Sequence, residues 1–245
     1  VVWYNGYQQN LPCPVNERYW NERIIPYCLD YARASLEVPT FAIQLDWEVY
    51  EGGGAGKKLL SSYSICYCDD CWRSFAGASG TSMPAPPLDR RENYLKSSKL
   101  EEKYDRHYLG RVKELGKKLR QETDKINPKL SYWFLPGVSR KGFSAELASA
   151  LATQEAPIVI SNEATYGKPS PAVSDDDALY SNVGMCLNDI KMLQDGKTPF
   201  IYLGAIMPEF SAFYLGRQAI EMGKVSDGVW IWWEAFKNPD RSIKR

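Results

Sequence analysis

The stretch FAIQLDWEVYEGG, residues 41–53, places two carboxylates at the end of an apolar segment. Its β-prone residues predict a buried strand over 41–47, and glycines follow soon after. Because side chains alternate along a strand, Asp46 and Glu48 point to the same face at its C-terminal end. A carboxylate held there can have the raised pKa that a catalytic acid needs. An exposed strand end with ordinary solvated acids is the alternative.

The composition limits the classes of function. The 245 residues carry 30 Lys plus Arg and 30 Asp plus Glu without a basic block, so neither nucleic acid nor an anionic membrane is an expected partner. No segment approaches the ~20 apolar residues of a membrane span, and no signal peptide is visible. We expect a soluble protein. The chain begins Val-Val-Trp, so we also expect its start to have been removed or truncated, as in a secreted protein.

Aromatic residues and histidine bear on the chemistry. Aromatics make up 13% of the chain, including 8 Trp and 16 Tyr, which suits rings lying against sugar faces as well as ordinary core packing. The single histidine, His107, lies in a charged helical segment and is expected at the surface. Chemistry based on a Ser-His or Cys-His pair is therefore disfavoured, and acid–base work falls to carboxylates.

Strand-like runs alternate with helical segments along the chain. The predicted strands cover 1–7, 41–47, 130–135, 157–161, 199–205 and 228–233. The predicted helices cover 17–36, 100–124, 144–153, 175–195 and 211–223, the first of them kinked or divided by Pro26. Several strands are nearly continuous apolar runs, as in parallel sheets covered on both faces. The pattern predicts an α/β fold built from βαβ units.

About six βα units are visible, whereas a closed (β/α)8 barrel needs eight. The fold is either a barrel that lacks two strands here or an open doubly wound sheet. We favour an incomplete (β/α)8 TIM-type barrel, forming a single catalytic-type domain over residues 1–245. The small, Pro-rich stretch 76–90 is predicted to be a mobile surface loop.

Acids and aromatic residues recur where the predicted strands end, which is where a barrel places its active site. Glu163 follows the strand at 157–161, and Glu209 follows the strand at 199–205. Either could be a second catalytic carboxylate, although each could also be an ordinary surface acid. The candidate substrate-binding residues near strand ends are Trp47, Tyr166, Trp230, Trp232 and Glu234.

The Cys-x-x-Cys spacing of Cys68 and Cys71 suits two ligands of one metal, and Cys66 lies just before them, while Cys13 could supply a fourth thiolate. Four thiolates could bind a tetrahedral zinc with no position left for water, which is a structural site. The alternative is disulfides or free thiols. Cys28 and Cys186 are interpreted as lone core thiols.

The segment FAIQLDWE resembles the strand-four signature of chitinase-type glycoside hydrolases, Asp-Gly-Ile-Asp-Leu-Asp-Trp-Glu. The resemblance places Asp46 and Glu48 on the last two acids of that signature, with Glu48 as the proton donor. Phe41 and Gln44 stand where the signature has its first two aspartates.

A second resemblance covers more of the chain. CPVNERYW (13–20), a strand-end glutamate and CYCDDCWRSF (66–75) are similar to zinc-carrying bacterial β-galactosidases of the (β/α)8 superfamily. The resemblance implies one structural zinc on the four cysteines. LGRQAIEMGKVSDGVWIWWEAF (215–236) resembles that family's last helix and eighth strand. By this comparison residues 1–7 are strand three, and the first two strands are missing.

Together the resemblances imply a glycoside hydrolase that acts on a carbohydrate. Glu48 would be the general acid/base, Asp46 its modulator, and Glu209 or Glu163 the second carboxylate. No catalytic cofactor is expected beside the structural zinc. A catalytically silent barrel that binds carbohydrate or serves as a scaffold is the alternative, because the strand-seven position of the usual nucleophile reads Gly204-Ala205.

Overall fold

The computed structural model describes residues 12–46, 65–80, 84–135, 138, 142–162, 165, 173–206 and 212–231. The strand predicted at 1–7 lies outside these residues. Among the helices of the described ranges, none is long and apolar enough to cross a membrane.

The described chain alternates helices with short strands. Its helices are α1 (Glu17–Tyr19), α2 (Ile25–Ala34), α3 (Asp69–Ser79), α4 (Arg91–Ser97), α5 (Glu101–Asp124), α6 (Phe143–Leu151), α7 (Asp175–Gly196) and α8 (Ala212–Gly223). Its strands are β1 (Ala42–Asp46), β2 (Ser131–Leu135), β3 (Ile158–Ser161), β4 (Phe200–Ile206) and β5 (Gly228–Ile231). The predicted α/β alternation is confirmed.

The predicted division of the first helix is also confirmed. A π-helical turn, Trp20–Ile24, joins α1 to α2, and Pro26 stands in the first turn of α2. The helical backbone continues through this turn, and the amide of Ile25 donates to the carbonyl of Trp20, five residues earlier. The side chain of Trp20 is buried, which anchors this turn to the core.

The loop predicted at 76–90 is only partly present. Residues 76–79 form the last turn of α3, and Leu88–Arg90 form a 3-10 turn. The indole Nε1 of buried Trp72 donates a hydrogen bond to the carbonyl of Pro84 at 3.1 Å. This bond and the burial of Trp72 tie the Pro-rich stretch to α3, so small and polar composition did not mean loop throughout.

The five strands form one sheet in the order β1-β2-β3-β4-β5. The pairs β2–β3, β3–β4 and β4–β5 are parallel, with Trp133 beside Val159, Val159 beside Ile201, and Ala205 beside Trp230. A doubly wound sheet reverses its strand order at a switch point. The described strands show no such reversal.

The chain divides into two compact units. The first contains α1 to α6, and the second contains the sheet from Gln44 onward with α7 and α8. In the first unit, the buried face of α5 carries Tyr104, Tyr108, Val112, Leu115 and Leu119, at spacings of three and four residues. This is the periodicity of an amphipathic helix, and it is why the charged segment 100–124 was predicted correctly.

Gly116 lies where α5 packs closely against α6. A Cβ there would lie 2.8 Å from Cβ of Ala150 and 2.9 Å from Cδ1 of Leu147. We expect Gly116→Ala to lower the free energy of unfolding by about 1 kcal/mol, because overpacking outweighs alanine's better helix propensity. Gly110→Ala, on the same helix but facing open space, should raise it by up to about 1 kcal/mol. Urea unfolding of both variants checks the prediction, and a stabilised Gly116→Ala would contradict it.

Candidate metal centre

Two segments of the first unit bring the four cysteines together. Cys13 lies in the turn before α1, where the amide of Asn16 donates to the carbonyl of Cys13 at 3.0 Å. Asn16 also caps α1, because its Oδ1 accepts from the amide of Tyr19 at 2.8 Å. The indole of Trp20 donates to the carbonyl of Pro14 at 2.7 Å. Hydrogen bonds therefore fix the turn that carries Cys13, both within its own backbone and to the helical segment that follows.

The second segment is the approach to α3. Cys68 is the N-cap residue of that helix, and Cys71 lies in its first turn. Tyr104 on α5 donates its hydroxyl to the carbonyl of Cys66 at 2.7 Å. The buried guanidinium of Arg91 donates to the carbonyl of Tyr67 at 2.6 Å. These bonds to neighbouring backbone carbonyls set the path of residues 66–68 without using a cysteine side chain.

The four sulfur atoms form a compact group. The Sγ atoms of Cys13 and Cys71 are 3.4 Å apart, and all four Sγ atoms lie within 4.8 Å of one another. Four thiolates about 2.3 Å from a tetrahedral ion would be separated by about 3.8 Å, which this group matches. A disulfide would need about 2.05 Å, and none of the six cysteines, all of them in the described part of the chain, forms one. The predicted ligand set can therefore hold a metal ion.

The four cysteines shift one another's pKa values through hydrogen bonds between their side chains. Hydrogen bonding with Cys13 lowers the pKa of Cys66 and the pKa of Cys68. Hydrogen bonding with Cys66 raises the pKa of Cys13, and hydrogen bonding with Cys13 raises the pKa of Cys71. The amides at the N-terminus of α3 add favourable partial charge, as helix N-termini do for thiolates. A cation that displaces the remaining protons removes these hydrogen bonds between the thiols.

A cleft of about 510 Å³ opens beside the cysteine group, bounded among others by Cys13, Cys71, Ser74, His107 and Arg111. His107 is half-buried rather than fully at the surface, and its Nε2 lies 3.0 Å from Oγ of Ser74. Burial lowers the pKa of His107, so its ring stays neutral at pH 7. Among the described residues, the group that could hold a metal ion consists of four cysteines, and His107 is not a member of it.

Most of the predicted catalytic and substrate-binding residues lie outside the described residues, namely Glu48, Glu163, Glu209, Trp47, Tyr166, Trp232 and Glu234. Asp46 ends β1, as predicted, but its side chain is not described. Trp230 is half-buried in β5. The structure therefore brings together the four cysteines and describes one of the predicted aromatic residues.

Trp133 is a candidate binding residue that the sequence argument missed. Its ring meets that of Trp230 edge to face, with centroids 5.1 Å apart, and its Nε1 donates to Oγ of Ser161 at 2.8 Å. In the sequence, Trp133 could have been recognised from its position in the middle of the predicted strand LSYWFL. In the structure, its neighbours Tyr132 and Phe134 are fully buried. Alternation along β2 places Trp133 on the opposite face from these two neighbours.

The faces of the sheet differ in what they contact. A Cβ on Gly204 would lie 2.9 Å from Cβ of Met222 on α8, and the hydroxyl of Tyr202 donates to Asp189 on α7 at 2.8 Å. Even-numbered residues of β4 therefore point toward the helices of this unit. By the register of the strands, Trp133 and Trp230 lie on the other face.

Comparison with known proteins adds no relative: the chain matches no protein-family model, no curated protein and no solved structure.

Proposed function

We propose that this chain is a glycoside hydrolase of the (β/α)8-barrel class that carries one structural zinc. The observation that supports it most strongly is the group formed by Cys13, Cys66, Cys68 and Cys71. More than fifty residues separate the first of these from the others along the chain, and the resemblance to zinc-carrying β-galactosidases named the same four as ligands. Their meeting is what that family resemblance predicts.

Zinc is the ion we propose because the donors are four soft sulfur ligands whose atoms all lie within 4.8 Å of one another. Four protein ligands leave no position for water, so the ion would cross-link the chain and supply no Lewis-acid chemistry to a substrate. The cross-link would join the turn before α1 to residues 66–71 at the start of α3.

Two features of the second unit support a barrel. The strands follow one another in chain order, as they do around a barrel wall. Trp133 and Trp230 lie three strands and four residues apart in register, roughly 19 Å in a flat sheet, yet their rings touch. A sheet that curves toward this face explains the contact, and the inside of a barrel is such a face. In this proposal β1 to β5 are strands four to eight.

The strand ends support the proposed active site. The sequence places four glutamates two or three residues beyond the ends of β1, β3, β4 and β5, namely Glu48, Glu163, Glu209 and Glu234. The C-terminal ends of parallel barrel strands meet at one rim, which is where barrel enzymes carry their catalytic groups. Among these acids we assign Glu48 as the general acid/base, assisted by Asp46.

The second carboxylate decides the stereochemistry. A retaining enzyme needs it about 5–5.5 Å from the acid, and an inverting enzyme needs about 6.5–9.5 Å to admit a water molecule. Glu209 is our first choice, because it is the nearest acid after the strand-seven position, and Glu163 is the second. The aromatic pair of Trp133 and Trp230 would lie along the wall of the same cavity, where a sugar face can pack against a ring.

Metal analysis and glycoside hydrolysis test the two halves of the proposal. We expect about one zinc per chain and turnover of a natural glycoside. Absence of zinc together with disulfides mapped among the four cysteines would contradict the metal site. Carbohydrate binding without turnover of any natural glycoside would contradict the enzyme and favour a silent carbohydrate-binding barrel.

A further inference from the structure

The helix α5 presents one face to the cysteine group. A small space lies between this face and the cysteine-bearing segments. Four residues of α5, three or four positions apart, line it together with one residue from each cysteine-bearing segment: Tyr104, His107, Tyr108, Arg111, Val15 and Cys71. Tyr108 is 2% exposed. Its hydroxyl has no hydrogen-bond partner in the described part of the chain.

A buried hydroxyl without a partner costs free energy, so native proteins almost always satisfy it. The space beside Tyr108 is too small to admit a water molecule. Among the residues that enclose this space, Cys71 contributes the sulfur atom.

Metal binding changes what that sulfur can accept. A thiol sulfur is a weak hydrogen-bond acceptor. A cysteine must lose its proton to ligate a metal, and the resulting thiolate accepts a stronger, charge-assisted hydrogen bond.

We propose that Tyr108 is a positioning residue of the metal centre, whose hydroxyl donates a hydrogen bond to the Cys71 sulfur when that sulfur ligates the metal. The proposal rests on the zinc site proposed above. It predicts that the hydroxyl stabilises the metal-bound protein selectively, because a protonated Cys71 is only a weak acceptor. A group that only fills the core would behave alike in both states.

The test compares wild type with Tyr108→Phe, both loaded with Co²⁺ as a spectroscopic substitute for zinc. We expect Tyr108→Phe to bind Co²⁺ about 10–100-fold more weakly in competition with a chelator, the usual effect of losing a partner of a metal ligand. We also expect its sulfur-to-cobalt charge-transfer band to move to lower energy, because a hydrogen bond to a thiolate stabilises the sulfur lone pair. Removing an unsatisfied hydroxyl should leave the metal-free protein as stable as wild type or more stable.

Tyr202→Phe, in the second unit and outside the cysteine group, is the control. Its hydroxyl is also buried, but it donates to Asp189 at 2.8 Å. Loss of that bond should destabilise the metal-free and the metal-loaded protein alike and leave the charge-transfer band in place.

Equal Co²⁺ affinity and an unmoved band in Tyr108→Phe would overturn the role of Tyr108 alone. Equal destabilisation of both states would do the same, since it would show an ordinary structural hydroxyl. A wild-type protein that binds no Co²⁺ would overturn the zinc site and this inference together, so the two failures are distinguishable.

Discussion

Cys66→Ser is expected to abolish stoichiometric zinc and to lower the free energy of unfolding by about 4 kcal/mol or more. Cys66 is fully buried within the sulfur group. A serine hydroxyl is a poor ligand for zinc, so the variant loses the folding free energy that metal binding would supply. Globular domains are stable by only ~5–15 kcal/mol, so such a loss is a large share of the total. Zinc content and urea unfolding measure the two effects.

Cys28→Ser is the control for this change. Cys28 lies on α2 of the same unit, is 2% exposed, and is not a member of the sulfur group. The same exchange of a buried thiol for a hydroxyl should therefore leave about one zinc in place and cost less stability. Full zinc content in Cys66→Ser, or equal losses in both variants, would rule out the four-cysteine metal centre.

Glu48→Gln is expected to lower the turnover of a natural glycoside by ~10²-fold or more, because the amide cannot protonate the leaving oxygen. The assignment comes from the LDWE motif and from the end of β1 at Asp46, two residues earlier. Substrate binding should be retained, since the exchange keeps the size of the side chain. Turnover and carbohydrate binding are measured on the same preparation.

The leaving group supplies a second control for Glu48→Gln. An aryl glycoside with a good leaving group needs little protonation, so its cleavage should fall much less than that of the natural glycoside. Glu51→Gln, the same exchange three residues further along, should leave both activities unchanged. Unchanged turnover of the natural glycoside by Glu48→Gln would exclude it as the general acid.

The elements that the sequence predicted well are those with a local signal. The strands at β2, β3 and β4 are continuous apolar runs, and α5 has its apolar residues at helical spacing. The helices α3 and α4 were not predicted. In DDCWRSFAGAS the apolar residues are few and the small ones many, so the helix depends on burial of Trp72 and Phe75 against other parts of the first unit.

The cysteines of the candidate metal site also differ in how well the sequence predicts them. Spacing alone associates Cys68 with Cys71, because two residues between cysteines suit one metal. It cannot say that Cys13 joins them, since more than fifty residues intervene, and only the family resemblance suggested it. The fold brings Cys13 to 3.4 Å from Cys71 by anchoring its turn through Trp20 and Asn16.

The sequence by itself determined the α/β class, most strands and helices, and the ligand types of a possible metal site, because these depend on residues close together in the chain. Only the tertiary structure decided the sequential strand order, the contact between Trp133 and Trp230, and the small space that buried Tyr108 and Cys71 both line. Each of these joins residues that are distant in the chain. Their proximity follows from sheet curvature and helix packing, which depend on the summed burial of many side chains and leave no mark in any single segment.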